Sequence, residues 1–223
     1  DAYGVYDLTA DEYETKKEAL TLEQYKQHLE GNISLGVIPI TPETPGGKCS
    51  YGIVDDDRHH KKINFKYDYN KLLQKIKLLR LPVNVCKSKS GGAHIAVYLD
   101  KPYPAKDVRH ILKKFSYALG YDRECVEVEI FPKTDVLDNE GKKVNLPYKG
   151  SNSRVLLNSE AQEQTFAEFL KLAPERVTNL QYLAKFKLLD HGKKQHRNER
   201  TFAFAVFAKK HFFLQNYDIS VNN

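Results

Sequence analysis

Three segments of this chain, SYGIVDDD (50–57), AHIAVYLD (93–100) and CVEVEIFP (125–132), share a pattern that few folds can satisfy. As extended chain, each sends alternate side chains to opposite sides. Asp55 and Asp57 then lie opposite Val54, and His94 lies opposite Ile95, Val97 and Leu99. Glu127 and Glu129 lie opposite Val126, Val128 and Ile130. Every one of these strands has an aliphatic side to bury and a side bearing an ionisable group. Strands of this kind can share one sheet, with helices on the aliphatic face and carboxylates converging on the other.

The helices such a sheet needs are present. YNKLLQKIKLLR (69–80) places Leu72, Leu73, Ile76 and Leu79 on one helical face, with Pro82 beyond its end. Pro104 starts a second helix, with Val108, Ile111, Leu112, Phe115 and Leu119 as its apolar stripe and Gly120 as its stop. VNVCK and AHIAVYLD flank KSKSGG as the arms of a hairpin. Upstream, Thr21-Leu22-Glu23-Gln24 has capping-box form and opens a short helix closed by Gly31, within an expected N-terminal helical segment over 9–31. Beyond residue 158, Ser159-Glu160-Ala161-Gln162 is read as a helix start, with further helices around 175–189 and 199–216. The fold expected is α+β: an RRM-like, mainly antiparallel sheet with helices on one face and an open acidic face over 1–157, then a helical extension over 158–223.

Lys and Arg outnumber Asp and Glu by 35 to 29, a net charge of +6 that favours an anionic partner. No apolar run approaches membrane-spanning length, so a membrane is not expected as a partner. The opening DAYGVYDLTADEYE lacks the basic start and apolar stretch of a secretory signal. Cys49, Cys86 and Cys125 stand far apart without a CxxC pair, which suits buried reduced thiols in a cytoplasmic protein. His59, His60, His191 and His196 have no cysteine partners at ligand spacing, and zinc is set aside.

Carboxylates gathered on one face raise one another's pKa and destabilise a fold unless a counter-charge joins them. Hard oxygen donors suit Mg²⁺ or Mn²⁺. Asp-x-Asp plus a third acid from a neighbouring strand is the minimum for two ions roughly 3.5–4 Å apart, an arrangement that serves phosphoryl transfer. Taken alone, DDD reads first as a solvated turn, as Asp-rich strand ends usually are. KSKSGGAHI (87–95) supplies Ser88, Lys89, Ser90, Gly91 and Gly92: hydroxyls, positive charge and unobstructed backbone N–H groups that together suit a triphosphate. It matches neither the Walker nor the Rossmann glycine pattern, and a plain Gly-Gly turn is its ordinary alternative. His94, beside that loop, suits a nucleotide contact better than metal ligation.

Read in order, GIVDDD, SKSGGAH and EIFPKT followed by NLPY resemble the three motifs of the archaeo-eukaryotic primases, the primase-polymerase superfamily, above all its versions from phages, plasmids and mobile elements. The resemblance covers residues 35 to 150. It matches Asp55 and Asp57 to the first motif, Ser90 and His94 to the second, and Glu129 to the third. Many relatives have Asp as the third acid, and this strand offers Glu127 as well. Glu129 is chosen because it stands directly before IFPK. Parity favours Asp55 and Asp57 over a pairing through Asp56.

That resemblance implies an enzyme, a DNA-directed primase or polymerase working in the cytoplasm of a host cell. Its partners would be a single-stranded DNA template, nucleoside triphosphates and a replicative helicase, fused or recruited. Asp55, Asp57 and Glu129 would be catalytic and would hold two Mg²⁺ or Mn²⁺ ions. Ser88, Lys89, Ser90, Gly91, Gly92, His94, Lys133 and Asn145 would contact the nucleotide. The basic tail residues Lys185, Lys187, Lys193, Lys194, Arg197 and Arg200 would track nucleic acid. Two rivals are a metal-dependent nuclease and a non-catalytic single-strand-binding initiator module, the latter using Phe65, Tyr67 and Tyr69 to stack bases.

Overall fold

In the computed structural model, residues 3–7, 11–41, 46–57, 67–121, 128–135 and 142–185 are described. Two antiparallel sheets organise them. The larger contains β4 (Lys48–Asp56), β5 (Asn84–Lys87), β6 (Ala93–Pro104), β7 (Val128–Phe131) and β9 (Leu156–Leu157), in the order β7-β4-β6-β5-β9. The smaller has the order β2-β1-β3-β8, from β1 (Tyr3–Asp7), β2 (Glu12–Lys16), β3 (Ile33–Val37) and β8 (Val144–Asn145). The expected α+β class is therefore observed, with its strands divided between two sheets.

Alternation along β4, β5 and β6 decides which face of the larger sheet is dry. Val54, Val85, Ile95 and Val97 point to one side, where α2 (Tyr69–Leu79) and α3 (Ala105–Leu119) cover them. Leu72, Leu73, Ile76 and Leu79 of α2 are all buried, as are Val108, Ile111, Leu112, Phe115 and Leu119 of α3. Asp68 caps α2 by accepting from Lys71 N–H at 3.0 Å, and Gly120, left-handed at φ 95°, ends α3. Gly52 lets α3 lie close on β4, since a Cβ there would meet Leu112 at 2.5 Å.

The opposite face is only partly open. Ile53, Ala96, Phe131 and Val144 form a second cluster with Tyr51 and Tyr98, so β8 of the smaller sheet closes over its middle. Cys86, Tyr148, Val155 and Leu156 form a third, against which Phe166, Phe169 and Leu172 of α4 (Phe166–Glu175) pack. The expectation of an uncovered acidic face is corrected to an acidic end on a partly covered face. Within KVNLP, Val144–Asn145 form β8 against β3 of the smaller sheet, and the turn at 148–154 then carries the chain back to pair as β9 with β5.

Two helical expectations also shift. Among the described residues of 9–31 only α1 (Leu22–Glu30) is helical, and Glu12–Lys16 is a strand paired with β1. The capping box at Thr21 and Gln24 and the Gly31 stop are formed as read. Ser159 to Gln162 make a turn pinned by Asn158 Oδ1, which accepts from Glu160 and Gln162 N–H at 2.9 Å each. The helix starts later, at a capping box of Thr165 and Glu168. Its successor is α5 (Leu180–Lys185), whose Leu183 joins the main core beside α3. The helix read around 199–216 lies outside the described residues, as do Cys125, His59, His60, His191, His196 and Phe65.

Candidate active site

Asp55 is the hub. In the ladder it stands directly opposite His94 of β6 and directly opposite Glu129 of β7. Partners directly opposite in an antiparallel ladder project to the same face, so His94, Asp55 and Glu129 form one row across three strands. His94 Nε2 lies 3.3 Å from Asp55 Oδ1. That oxygen is buried and, among the described residues, has no hydrogen-bond partner.

Asp57, two residues on, ties this row to the β5–β6 hairpin. It accepts from Ser88 Oγ at 3.1 Å and from the Ser90 hydroxyl, and the two hydroxyls are 2.8 Å apart. Asp56 faces the other way. It is fully buried on the helix side and accepts from Tyr67 OH at 2.6 Å, and Tyr67 OH lies 3.0 Å from Tyr121 OH. The triple aspartate that looks electrostatically awkward in sequence is thus divided between two faces of the sheet.

The hairpin loop is built around Gly92. A Cβ there would sit 1.7 Å from the Asp56 carbonyl oxygen, so only glycine permits the approach. Tyr69 OH donates to the carbonyls of Gly91 and Gly92 at 3.1 and 2.9 Å, from the helix side. Tyr67 and Tyr69 therefore brace the hairpin and Asp56 and do not stand as a stacking stripe. Three of the loop's N–H groups are also committed. Ser88 N–H donates to Gly92 O, Gly92 N–H to Ser88 Oγ (each 3.0 Å), and Gly91 N–H to Ser88 O at 3.3 Å. These three amides are turned inward, and exposed Lys89 is the loop's cationic group at its tip.

Glu129 is held by Lys133, whose Nζ is 2.6 Å from Oε1 and lies 5.1 Å from the centre of the Phe131 ring. Arg109 of α3 fixes the segment carrying Lys133: Nη1 donates to Lys133 O at 2.8 Å and Nη2 pairs with Asp135 at 2.5 Å. Asn145 is exposed on β8, opposite Gly36, and belongs to the smaller sheet. Lys185 ends α5 on the helix-covered side, away from the row containing Asp55. Glu127, Lys187, Lys193, Lys194, Arg197 and Arg200 lie outside the described residues.

The donors present suit a hard divalent ion. Asp55 offers a buried carboxylate oxygen without a hydrogen bond, and Glu129 is its cross-strand neighbour. Among the described residues no three His, Cys, Asp or Glu side chains converge into a ready-made metal cage. Mg²⁺ binds commonly through one or two carboxylates plus substrate phosphates, which this partial donor set matches. Cys86, cross-strand from His94, is a poor soft-metal ligand because burial pushes its thiol up to about 12.

Sequence reasoning missed the segment 148–154. Tyr148, Gly150, Ser151 and Arg154 all adopt positive φ there. Tyr148 is buried beneath it, and its OH donates to Gln164 O at 2.9 Å. Lys149 and Arg154 bring positive charge, and burial pushes Arg154 down to about 10. The available signal was KGSNSR, a turn-forming run bounded by two cations.

A family model described as the archaeo-eukaryotic primase domain of the TOTE conflict system matches residues 6–175. The match takes in both sheets and α4. No curated protein matches the chain.

Proposed function

Because the chain belongs to the archaeo-eukaryotic primase domain family of TOTE conflict systems, we propose that it is a nucleotidyltransferase that makes or extends primers on a single-stranded DNA template from nucleoside triphosphates. Membership in this family supports a primase-polymerase type of chemistry. The observation that carries the reading is the row His94, Asp55 and Glu129 across three strands, with Asp57 bound to the serines of the neighbouring hairpin.

In this reading Asp55, Asp57 and Glu129 hold a pair of Mg²⁺ or Mn²⁺ ions. When bound, these supply Lewis acidity that lowers the pKa of the attacking hydroxyl and offsets charge on departing pyrophosphate. Asp55 and Glu129 are the inner donors because the ladder sets them side by side. His94 orients the nucleotide from the same row. Ser88 and Ser90 hold Asp57 and border the triphosphate, with Lys89 at the loop tip. Lys133 is paired with Glu129 at 2.6 Å, and exchanges that carboxylate for a substrate phosphate as the site loads. Asn145 approaches the nucleotide from the smaller sheet. Gly91 and Gly92 shape the hairpin. A helicase partner and residence in the cytoplasm of a mobile element's host complete the proposal. No helix among the described residues is long and apolar enough to cross a membrane.

The test is incubation of the full chain with labelled nucleotides, Mn²⁺ and a primed or unprimed single-stranded template. Product growth that disappears in Asp55→Asn supports synthesis. Template shortening with no product growth makes the chain a nuclease, and template binding with neither reaction makes it a binding module.

A further inference from the structure

A buried cation without a counter-ion among the described residues stands beside the proposed nucleotide site. Arg154 is 4% exposed. Its Nη2 donates to Ser34 Oγ at 2.9 Å, whereas Nε and Nη1 are buried and, among the described residues, have no hydrogen-bond partner. No carboxylate among the described residues is paired with it. Withdrawing a guanidinium from water is costly, and leaving Nε and Nη1 unpaired adds the loss of the hydrogen bonds they made there. A ligand that accepts from Nε and Nη1 would offset that cost.

Its place in the fold indicates which ligand. Lys87 N–H donates to Val155 O at 3.0 Å, so continuing the β5–β9 register brings Arg154 alongside Ser88, whose hydroxyl donates to Asp57. The side chain reaches Ser34 of β3, two residues from Gly36, the partner of Asn145. Arg154 thus bridges the hairpin side of the larger sheet and the smaller sheet's β3–β8 pair. Lys149 precedes it on the same turn, where Lys149 pairs with Ser153. Burial first, then the charges of Arg154 and Lys89, hold the Lys149 ammonium below its ordinary pKa. Three cations therefore share one neighbourhood, while the amides of Ser88, Gly91 and Gly92 are already bonded within the hairpin.

We propose that Arg154, with Lys149 and Lys89, forms a phosphate-binding site that takes the phosphate oxygens of a ligand at the hairpin side of the acidic row. Arg154 offers buried, unpaired donors on Nε and Nη1, which suit charge-assisted hydrogen bonds to phosphate oxygens. Phosphate chemistry has two sources here, the tail of a nucleoside triphosphate and the backbone of a nucleic-acid strand. The proposal depends on the nucleotidyltransferase reading only for the identity of its natural ligand.

The test uses the full chain in EDTA, so that metal-dependent contacts are absent. The probes are inorganic tripolyphosphate, ATP and an oligothymidylate without terminal phosphate, measured by calorimetry. Arg154→Met removes the charge and keeps most of the volume. It is expected to melt no lower than wild type without ligand, and to lose more than about 30-fold in affinity for at least one probe. Loss confined to tripolyphosphate and ATP identifies the triphosphate tail; loss confined to the oligonucleotide identifies the strand backbone. Binding of all three probes by Arg154→Met within about twofold of wild type overturns the site. Should that variant fail to fold, Lys149→Gln decides: a loss of about threefold or more supports the site, and unchanged binding overturns it. Asp55→Asn separates this inference from the catalytic one. It is expected to keep tripolyphosphate binding in EDTA while losing incorporation. If wild type incorporates no nucleotide and Arg154→Met still loses tripolyphosphate, the catalytic reading falls and the anion site stands.

Discussion

Neighbouring aspartates meet different requirements. Asp56 is buried under the helices and accepts from Tyr67, whereas Asp55 keeps a carboxylate oxygen without a hydrogen bond on the other face. Tyr67→Phe therefore removes a bond to a buried carboxylate and is expected to cost about 1–3 kcal/mol in urea unfolding. Asp55→Asn keeps the shape and is expected to lower incorporation by about 10²-fold or more while leaving the unfolding midpoint near wild type. Gly92→Ala forces a methyl against the Asp56 carbonyl and is expected to cost about 3 kcal/mol, read from the same unfolding curves. Parity alone separated Asp56 from its neighbours in the sequence, because strand alternation is a strong local constraint. Arg154 was not legible, since its burial comes from a turn bracketed by two sheets and no periodic pattern marks it.

At the scale of elements, legibility followed the strength of the apolar period. The α3 stripe from Val108 to Leu119 is buried throughout, and its Pro104 start and Gly120 stop agree with the chain. Phe115→Ala is expected to cost roughly 3–5 kcal/mol, because this ring is buried at the centre of the main core. The start of α4 was misread because two polar runs compete to cap it. Asn158 satisfies Glu160 and Gln162 as a turn, which leaves Thr165 to make the capping box. Thr165→Ala is accordingly expected to cost about 1 kcal/mol, and Ser159→Ala much less, in parallel unfolding measurements. The β1–β2 hairpin was hidden by its polar residues, and its pairing with β3 is a contact between segments distant in sequence.

Across the whole molecule, His28 joins α1 to both the smaller sheet and the 146–150 segment. Its Nδ1 accepts from Leu35 N–H at 3.1 Å, and Nε2 lies 2.9 Å from Pro147 O, which fits a neutral ring with the proton on Nε2. Burial, and then the charges of Arg154 and Lys149, hold its pKa below the ordinary 6.5. With the folded value lowered, the unfolded chain binds the extra proton first. The stability held by neutral His28 is complete above about pH 6.5 and declines as pH falls through that value toward the folded pKa. Thermal midpoints between pH 5 and 8 should therefore fall on the acid side, and His28→Gln should flatten that slope. The row of His94, Asp55 and Glu129 remains the claim on which the account of function rests. Its most direct measurement is a crystal of the chain with Mn²⁺ and a non-hydrolysable nucleoside triphosphate, read by anomalous scattering from manganese. The account predicts manganese bound by Asp55 and Glu129, with the triphosphate on the hairpin side of them. Manganese bound elsewhere on a fully loaded chain, with Asp55 still coordinating nothing, would contradict it.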